Sequence, residues 1–401
     1  MIFPIDPTTN ASASRARPTV PTMPTVRLYD GFEAVEPVWR WIETQPANLL
    51  TPYQRFDLLR AWQRHVGSRK GLTPLIAVGF DAGGAPACLL PLGRRRIGAT
   101  QQAEFLGGKH ANFNSAIWRR DIAARISADD MQDFIKRLAP KADALILLNQ
   151  PRHWDGLANP LALLPHSPSA DPAFCGALTP DFNALLAARI SANKRKKLRN
   201  RERALAQHGP LVFRQAKTPA EAAAILAAFH EQKAQRMHEL GVDNAFAEPG
   251  VADFIAEAAT HALDTNPVIE TYALFAGERV AATSAGIVAN GRFSTMFNSI
   301  ARDELAHASP GQLLLIRLVE SACARGLNVF DLGVGEAAYK EVFCNEPQLL
   351  FDSFLPLSAA GRMIAAAHRA AYAAKRTIKR TPILWSAVCT TRRWRNHGSE
   401  R

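Results

Sequence analysis

The chain has 401 residues, 47% hydrophobic and 21% charged, enough to bury a sizeable core and long for one ordinary domain. Its net charge of +12 is concentrated in residues 192–203, at +6, and 362–401, at +9, which leaves the remainder at about −3 and excludes a uniformly basic body. The 26 prolines and 24 glycines are dispersed, which excludes a collagen-like or generally disordered chain, and no run of 18 apolar residues exists to form a spanning helix.

Residues 1–24, rich in Pro, Thr, Ser and Ala without a continuous apolar stretch, read as a disordered leader and not as a signal peptide. Thr25 to Tyr29 reads as a strand, followed by a helix to Trp41 and a second from Pro52 to Val66. Leu75 to Phe80 and Ala85 to Leu92 form a hairpin about Asp81-Ala82-Gly83-Gly84, and Arg96 to Leu106 is extended. A helix from Met131 to Leu138 and a strand from Ala142 to Leu148 follow, and Ala173 to Leu178 reads as the last strand of this half. Residues 181–208 read as one basic linker helix.

The second half repeats that order. Leu211 to Gln215 is extended, and a long helix runs from Pro219 to Leu240 between the N-cap Thr218 and the terminating Gly241. A helix over Val251 to Leu263 precedes three strands, 268–275, 279–288 and 292–300, the last two joined by the hairpin signal Asn290-Gly291. A helix from Pro310 to Arg325, a strand from Asn328 to Leu332, a helix from Glu336 to Phe343 and a closing strand from Leu349 to Leu355 complete it. The reading is mixed α/β: an N-terminal lobe, 25–180, a C-terminal domain, 209–357, and a basic helical tail, 358–401.

Ser309 suits an N-cap and Pro310 the first helical position, so free N–H groups beside Gly311 and Gln312 would make either an anion site or a plain capped helix start. The five cysteines, Cys88, Cys175, Cys323, Cys344 and Cys389, are odd in number and never spaced C-x-x-C, which argues against zinc and disulfides and fits a cytoplasmic protein. Lys109 after Gly107-Gly108 lacks the Walker pattern, and no metal-ligand spacing is present. No aromatic residue interleaves with the basic run, so nucleic acid is not an expected partner, whereas the basic tail suits an anionic membrane surface.

From Asp181 to Leu357 the chain resembles the acetyltransferase-like domain of the GNAT superfamily found in cellulose-biosynthesis-associated proteins, related to FemAB-type transferases. The resemblance is carried by Lys194-Arg195-Lys196-Lys197-Leu198-Arg199, Phe229-His230 with Arg236 and Gly241, Ser309-Pro310-Gly311 with Leu314, and Gly326-Leu327. Phe330-Asp331-Leu332-Gly333, Gly335-Glu336 and Tyr339-Lys340 complete it.

The resemblance implies two tandem GNAT-like acyl-CoA N-acyltransferase folds that move an acyl group from CoA, as co-substrate and not a resident cofactor, to an amine or hydroxyl, for instance on a sugar or glycan precursor. It implies a pyrophosphate at Ser309, Gly311 and Gln312, a pantetheine arm near Asn298, and an acceptor in the cleft between the lobes. Only Gly311 matches the usual phosphate loop, so a carrier-protein thioester or an aminoacyl-tRNA donor stays open, as does a non-catalytic binding role. Tyr339 would protonate the leaving thiolate and Lys340 stabilise negative charge, with Asp331 and Glu336 as candidate bases or surface groups. His230 and Arg236, about 120° apart around their helix, would each line the cleft alone, and Lys196 and Lys197 would grip phosphates.

Overall fold

The computed structural model describes residues 22–263, 265–335 and 339–381. Two mixed sheets dominate it. The N-terminal sheet is built on β1 (Thr25–Tyr29), β2 (Thr73–Phe80), β3 (Pro86–Ile97), β4 (Thr100–Phe105) and β5 (Ala144–Pro151). The chain then supplies β6 (Ala173–Ala177), β7 (Leu211–Gln215), β8 (Glu270–Ala276), β9 (Arg279–Ala289), β10 (Arg292–Ile300), β11 (Val329–Val334) and β12 (Leu350–Pro356).

The two sheets share one plan. The first runs β1-β2-β3-β4-β5-β12 and the second β7-β8-β9-β10-β11-β6, each extended by a short edge strand. The fourth and fifth strands of each are parallel, β4 with β5 and β10 with β11, and the neighbours on either side are antiparallel. Local chemistry sets the turns: Asp81 accepts from the N–H groups of Gly83 and Ala85 at the β2–β3 turn. Asn290 and Gly291, at φ 48° and 71°, make the β9–β10 turn that the right-handed strand twist favours.

The sixth strands are exchanged. β12 was expected to close the C-terminal sheet and instead pairs with β5, Leu350 opposite Pro151 and Pro356 opposite Ala144. β6 was expected to end the N-terminal lobe and instead pairs with β11, Ala177 opposite Val329. The boundaries drawn at 180 and 357 therefore cut across both sheets. Hydrophobic pattern identifies these strands but not their partners, because an apolar strand pattern suits the edge of either sheet.

Residues 181–208 are two helices. Helices α1 (Glu36–Thr44), α2 (Phe56–Trp62) and α3 (Ala128–Lys136) belong to the first lobe. Then α4 (Phe182–Arg189) is capped by Asp181, and α5 (Ala192–Ala206) is capped afresh by Ser191. Between them Ile190 turns extended and buries its side chain, so the single linker helix is corrected. In the second lobe α6 (Pro219–Leu240) starts in a Thr218–Glu221 capping box and stops at Gly241, followed by α7 (Val251–Thr260) and α8 (Pro310–Ala324). Tyr272 and Leu274 of β8 share a core with Leu314 and Leu318 of α8, while Ala273 between them meets Ala222 and Ile225 of α6. Helices α6 and α8 thus cover opposite faces of the sheet.

The helix read over Glu336 to Phe343 is a single 3-10 turn, Lys340–Val342, within the described residues; Glu336 lies outside them. After β12, α9 (Ala359–Arg380) packs on β12 and β5, so the first part of the tail is docked, and residues 382–401 lie outside the described set. No described helix is long and apolar enough to cross a membrane. The largest core joins the lobes, with Trp39, Phe56 and Trp62 in one cluster with Phe229, Phe254 and Phe297.

Candidate functional site

The C-terminal sheet splits at its parallel pair. β10 and β11 are in register only from Arg292–Ser294 to Val329–Asp331. Beyond that β10 follows β9 and β11 follows β6, which opens a cavity of about 480 Å³ between α6 and α8, a volume typical of small-molecule sites. Its floor is apolar, formed by Met237, Ile300, Leu314, Leu315, Leu318 and Leu332. Thr283, Ser284, Asn298, Ser299, Ser309 and Gln312 supply polar groups. Among the described residues Lys233 and Arg236 are its charged groups, and no described carboxylate lines it.

The polar wall is held rigid by its own bonds. The hydroxyls of Thr283 and Ser299 lie 2.6 Å apart, Ser299 donates to Gln232 Oε1 at 2.7 Å, and Gln232 Nε2 donates to the Val280 carbonyl at 2.8 Å. Lys233 Nζ reaches the Asn298 carbonyl at 3.4 Å and lies 5.4 Å from the Phe246 ring centre. Burial, with Arg236 next to it, pulls the Lys233 ammonium below the ordinary lysine range. The first lobe closes the split from behind, where Asn112 Nδ2 donates to the Thr295 carbonyl at 3.0 Å and to Tyr53 Oη at 2.8 Å.

Asn298, Ser309, Gly311, Gln312, Arg236 and Tyr339, six candidates scattered over a hundred residues of sequence, all border this cavity. Tyr339 is 42% exposed there. The other candidates take different places. Lys340 is 5% exposed and its Nζ donates to the carbonyls of Gly333 and Val334, both at 3.1 Å, so it caps the end of β11 and cannot meet a substrate.

Asp331 is wholly buried, accepting from Ser294 Oγ, from Gly333 N at 3.0 Å and from Arg292 Nη1 at 3.4 Å; burial raises its carboxyl above the usual range. It ties β10 to β11 where they part and is no base for an acceptor. The half-buried His230 packs against the Phe229 ring, outside the stretch of α6 that lines the cavity, and burial lowers its pKa. Lys196 and Lys197 are exposed on α5 and do not line the cavity.

The helix start also departs from expectation. Ser309 occupies the N-cap position in a left-handed conformation, φ 53° and ψ 54°, and its side chain makes no cap bond. Pro310 has no N–H, and the N–H groups of Gln312 and Leu313 both return to the Ser309 carbonyl, at 3.0 and 3.4 Å. The Leu313 bond is the ordinary first bond of a helix, so the turn keeps the Gly311 N–H open and lacks the wider fan of donors expected of an anion site. Gly311 answers to packing: a Cβ there would stand 2.7 Å from Ile300 Cγ2.

Sequence reasoning missed Lys233, Gln232, Thr283, Ser284 and Ser299. A signal existed for the middle pair, since Thr283-Ser284 interrupts an otherwise apolar buried strand. Lys233, inside the polar run Glu231–Gln235, had none.

The split parallel pair thus holds a cavity with a polar wall and an apolar floor. Residues 192–341 match the family model described as an acetyltransferase (GNAT) domain, and every lining residue falls inside that match. No curated protein matches the chain. Among solved structures, FemX is 10% identical with a TM-score of 0.54, over 85% of this chain and all of that one. L-PGS from Bacillus licheniformis is 13% identical, TM-score 0.48, over 83% and 96% of the two chains. A tandem GNAT protein from the clavulanic acid biosynthesis pathway is 12% identical, TM-score 0.45, over 83% and 99%. The fold is mixed α/β, two mixed sheets of one plan flanked by helices, with the second inside the segment that matches the acetyltransferase model.

Proposed function

We propose that the chain is an acyltransferase that holds a CoA-type thioester in the β10–β11 cavity and passes its acyl group to an amine or hydroxyl. The supporting observation is the cavity itself, an apolar channel with amide-pairing groups on one wall and two cations, inside the segment that matches the acetyltransferase model. A pantetheine arm, apolar between its amides, complements that lining.

In the reaction the acceptor nitrogen bonds to the acyl carbon and the carbon–sulfur bond breaks. The Lys233 ammonium stabilises the oxyanion formed between those events. The phenol of Tyr339 protonates the departing thiolate and recovers its proton from solvent, while the acceptor's proton leaves to water. Direct attack in a ternary complex needs no covalent enzyme intermediate.

The test is thermal stabilisation of the whole chain by acetyl-CoA and longer acyl-CoAs. Saturable stabilisation is expected, and Leu315→Trp, which fills the cavity from its floor, is expected to abolish it while the unliganded chain still melts cooperatively. No response to any acyl thioester would overturn the proposal.

A further inference from the structure

We infer that the phosphates of the donor are gripped by one flank of α5, through Lys194, Lys197 and Arg201, and not by the N-terminus of α8. This rests on the cavity taking a CoA-type donor. Two observations carry it, one at each helix.

At α8 the first turn offers an anion a single backbone donor, the Gly311 N–H, among the described bonds. Pro310 brings no donor, Gln312 and Leu313 spend theirs on the Ser309 carbonyl, and the Ser309 side chain makes no bond to the turn. A diphosphate leaving the cavity past Ser309 and Gln312 needs cations from elsewhere.

Helix α5 lies against that rim, packed on residues 304–308 and on α8. Its Arg201 donates to Gln312 Oε1, which borders the cavity, and a guanidinium so engaged keeps further donors for a phosphate. Helical geometry places Lys194 about 20° from Arg201 around the axis and Lys197 about 40° from it, so the three cations form one ridge. Leu198 and Leu205 form the buried stripe beside that ridge, and Lys196 is on the opposite side of the helix. Among the described residues none of the three has a carboxylate partner, whereas Arg195 is used up on the carbonyls of Ala187 and Ile190, and Glu202 binds Arg317 at 2.6 Å. Lys196, Arg199 and Arg203 have no carboxylate partner among the described residues either, and what sets the ridge apart is its side of the helix, which carries Arg201 at the cavity rim.

The experiment compares acetyl-CoA with S-acetylpantetheine, the same thioester arm without phosphates, by titration calorimetry of the whole chain at low and raised salt. Acetyl-CoA is expected to bind more tightly, by a margin that shrinks as salt screens the ridge. Arg201→Gln is expected to weaken acetyl-CoA about tenfold and Lys194→Gln and Lys197→Gln severalfold, with acetylpantetheine unchanged. Arg201→Lys should recover part of the loss, and Lys196→Gln should change nothing.

Equal affinity for both compounds, or an Arg201→Gln loss shared by both, overturns the ridge and leaves the cavity reading standing. Binding of neither compound removes the cavity reading and the ridge with it.

Discussion

At the scale of single residues, the cavity concentrates its chemistry on Lys233, because among the described residues no histidine or carboxylate borders it and Arg236 is already turned toward Glu239 at 3.5 Å. The ammonium form is the one that stabilises an oxyanion. Since burial lowers the pKa of Lys233, that form is full at low pH and disappears at a lower pH than for a free lysine. Turnover is therefore expected to fall on the alkaline side, beginning below the ordinary lysine range. Lys233→Arg should remove that limb, because a guanidinium stays charged, and Lys233→Met should lower turnover on the order of a hundredfold where the ammonium is full, with the gap to wild type closing along the alkaline limb. A Lys233→Met enzyme with the wild-type pH–rate profile would take this lysine out of the reaction. Lys340 makes the contrast: its substitution loosens the end of β11, and donor affinity and turnover should suffer together.

Helix starts carry the comparison at the scale of elements. Thr218 opens α6 with a reciprocal capping box, while Ser309 opens α8 with no side-chain bond and a left-handed backbone. Thr218→Ala is expected to cost about 1 kcal/mol and Ser309→Ala less than about 0.5 kcal/mol in denaturant unfolding, with Ser309→Gly neutral or stabilising. An equal cost at both sites would mean that the Ser309 hydroxyl has a role its geometry does not show. The same contrast explains what was legible in sequence. Asn290-Gly291, the Thr218 cap and the Gly241 stop follow from rules confined to a few residues, and all three stand in the structure. Of the six candidates that border the cavity, Ser309, Gly311 and Gln312 were legible at a helix start, while Asn298, Arg236 and Tyr339 came through the resemblance. Asp331 and Lys340 also lie near a strand end, but the structure turns them inward toward Ser294 and the Gly333 carbonyl, a choice no local pattern encodes.

For the whole molecule, the exchanged strands decide how it can fold. β12 completes a sheet whose neighbouring strand, β5, lies about two hundred residues earlier, and β6 completes the sheet formed by the second half. A cut at residue 181 leaves each half without its sixth strand, with an open sheet edge and an exposed face of the shared Trp39–Phe254 core. The interface also holds charges that a separated half would leave unpaired: Glu257 meets Arg64 at 3.1 Å and His65 at 2.7 Å, and Glu248 meets Lys70 at 3.0 Å. The intact chain is therefore expected to unfold in one cooperative transition, with near- and far-ultraviolet circular dichroism coincident. Residues 22–180 and 181–381 expressed apart should aggregate or lack a cooperative melt, although the second piece contains every cavity residue. Co-expressed, the two should recover a soluble complex that melts as one unit, because the missing strands are restored by the partner piece. A C-terminal piece that melts cooperatively alone, near the temperature of the intact chain, would show that the exchange adds nothing to stability.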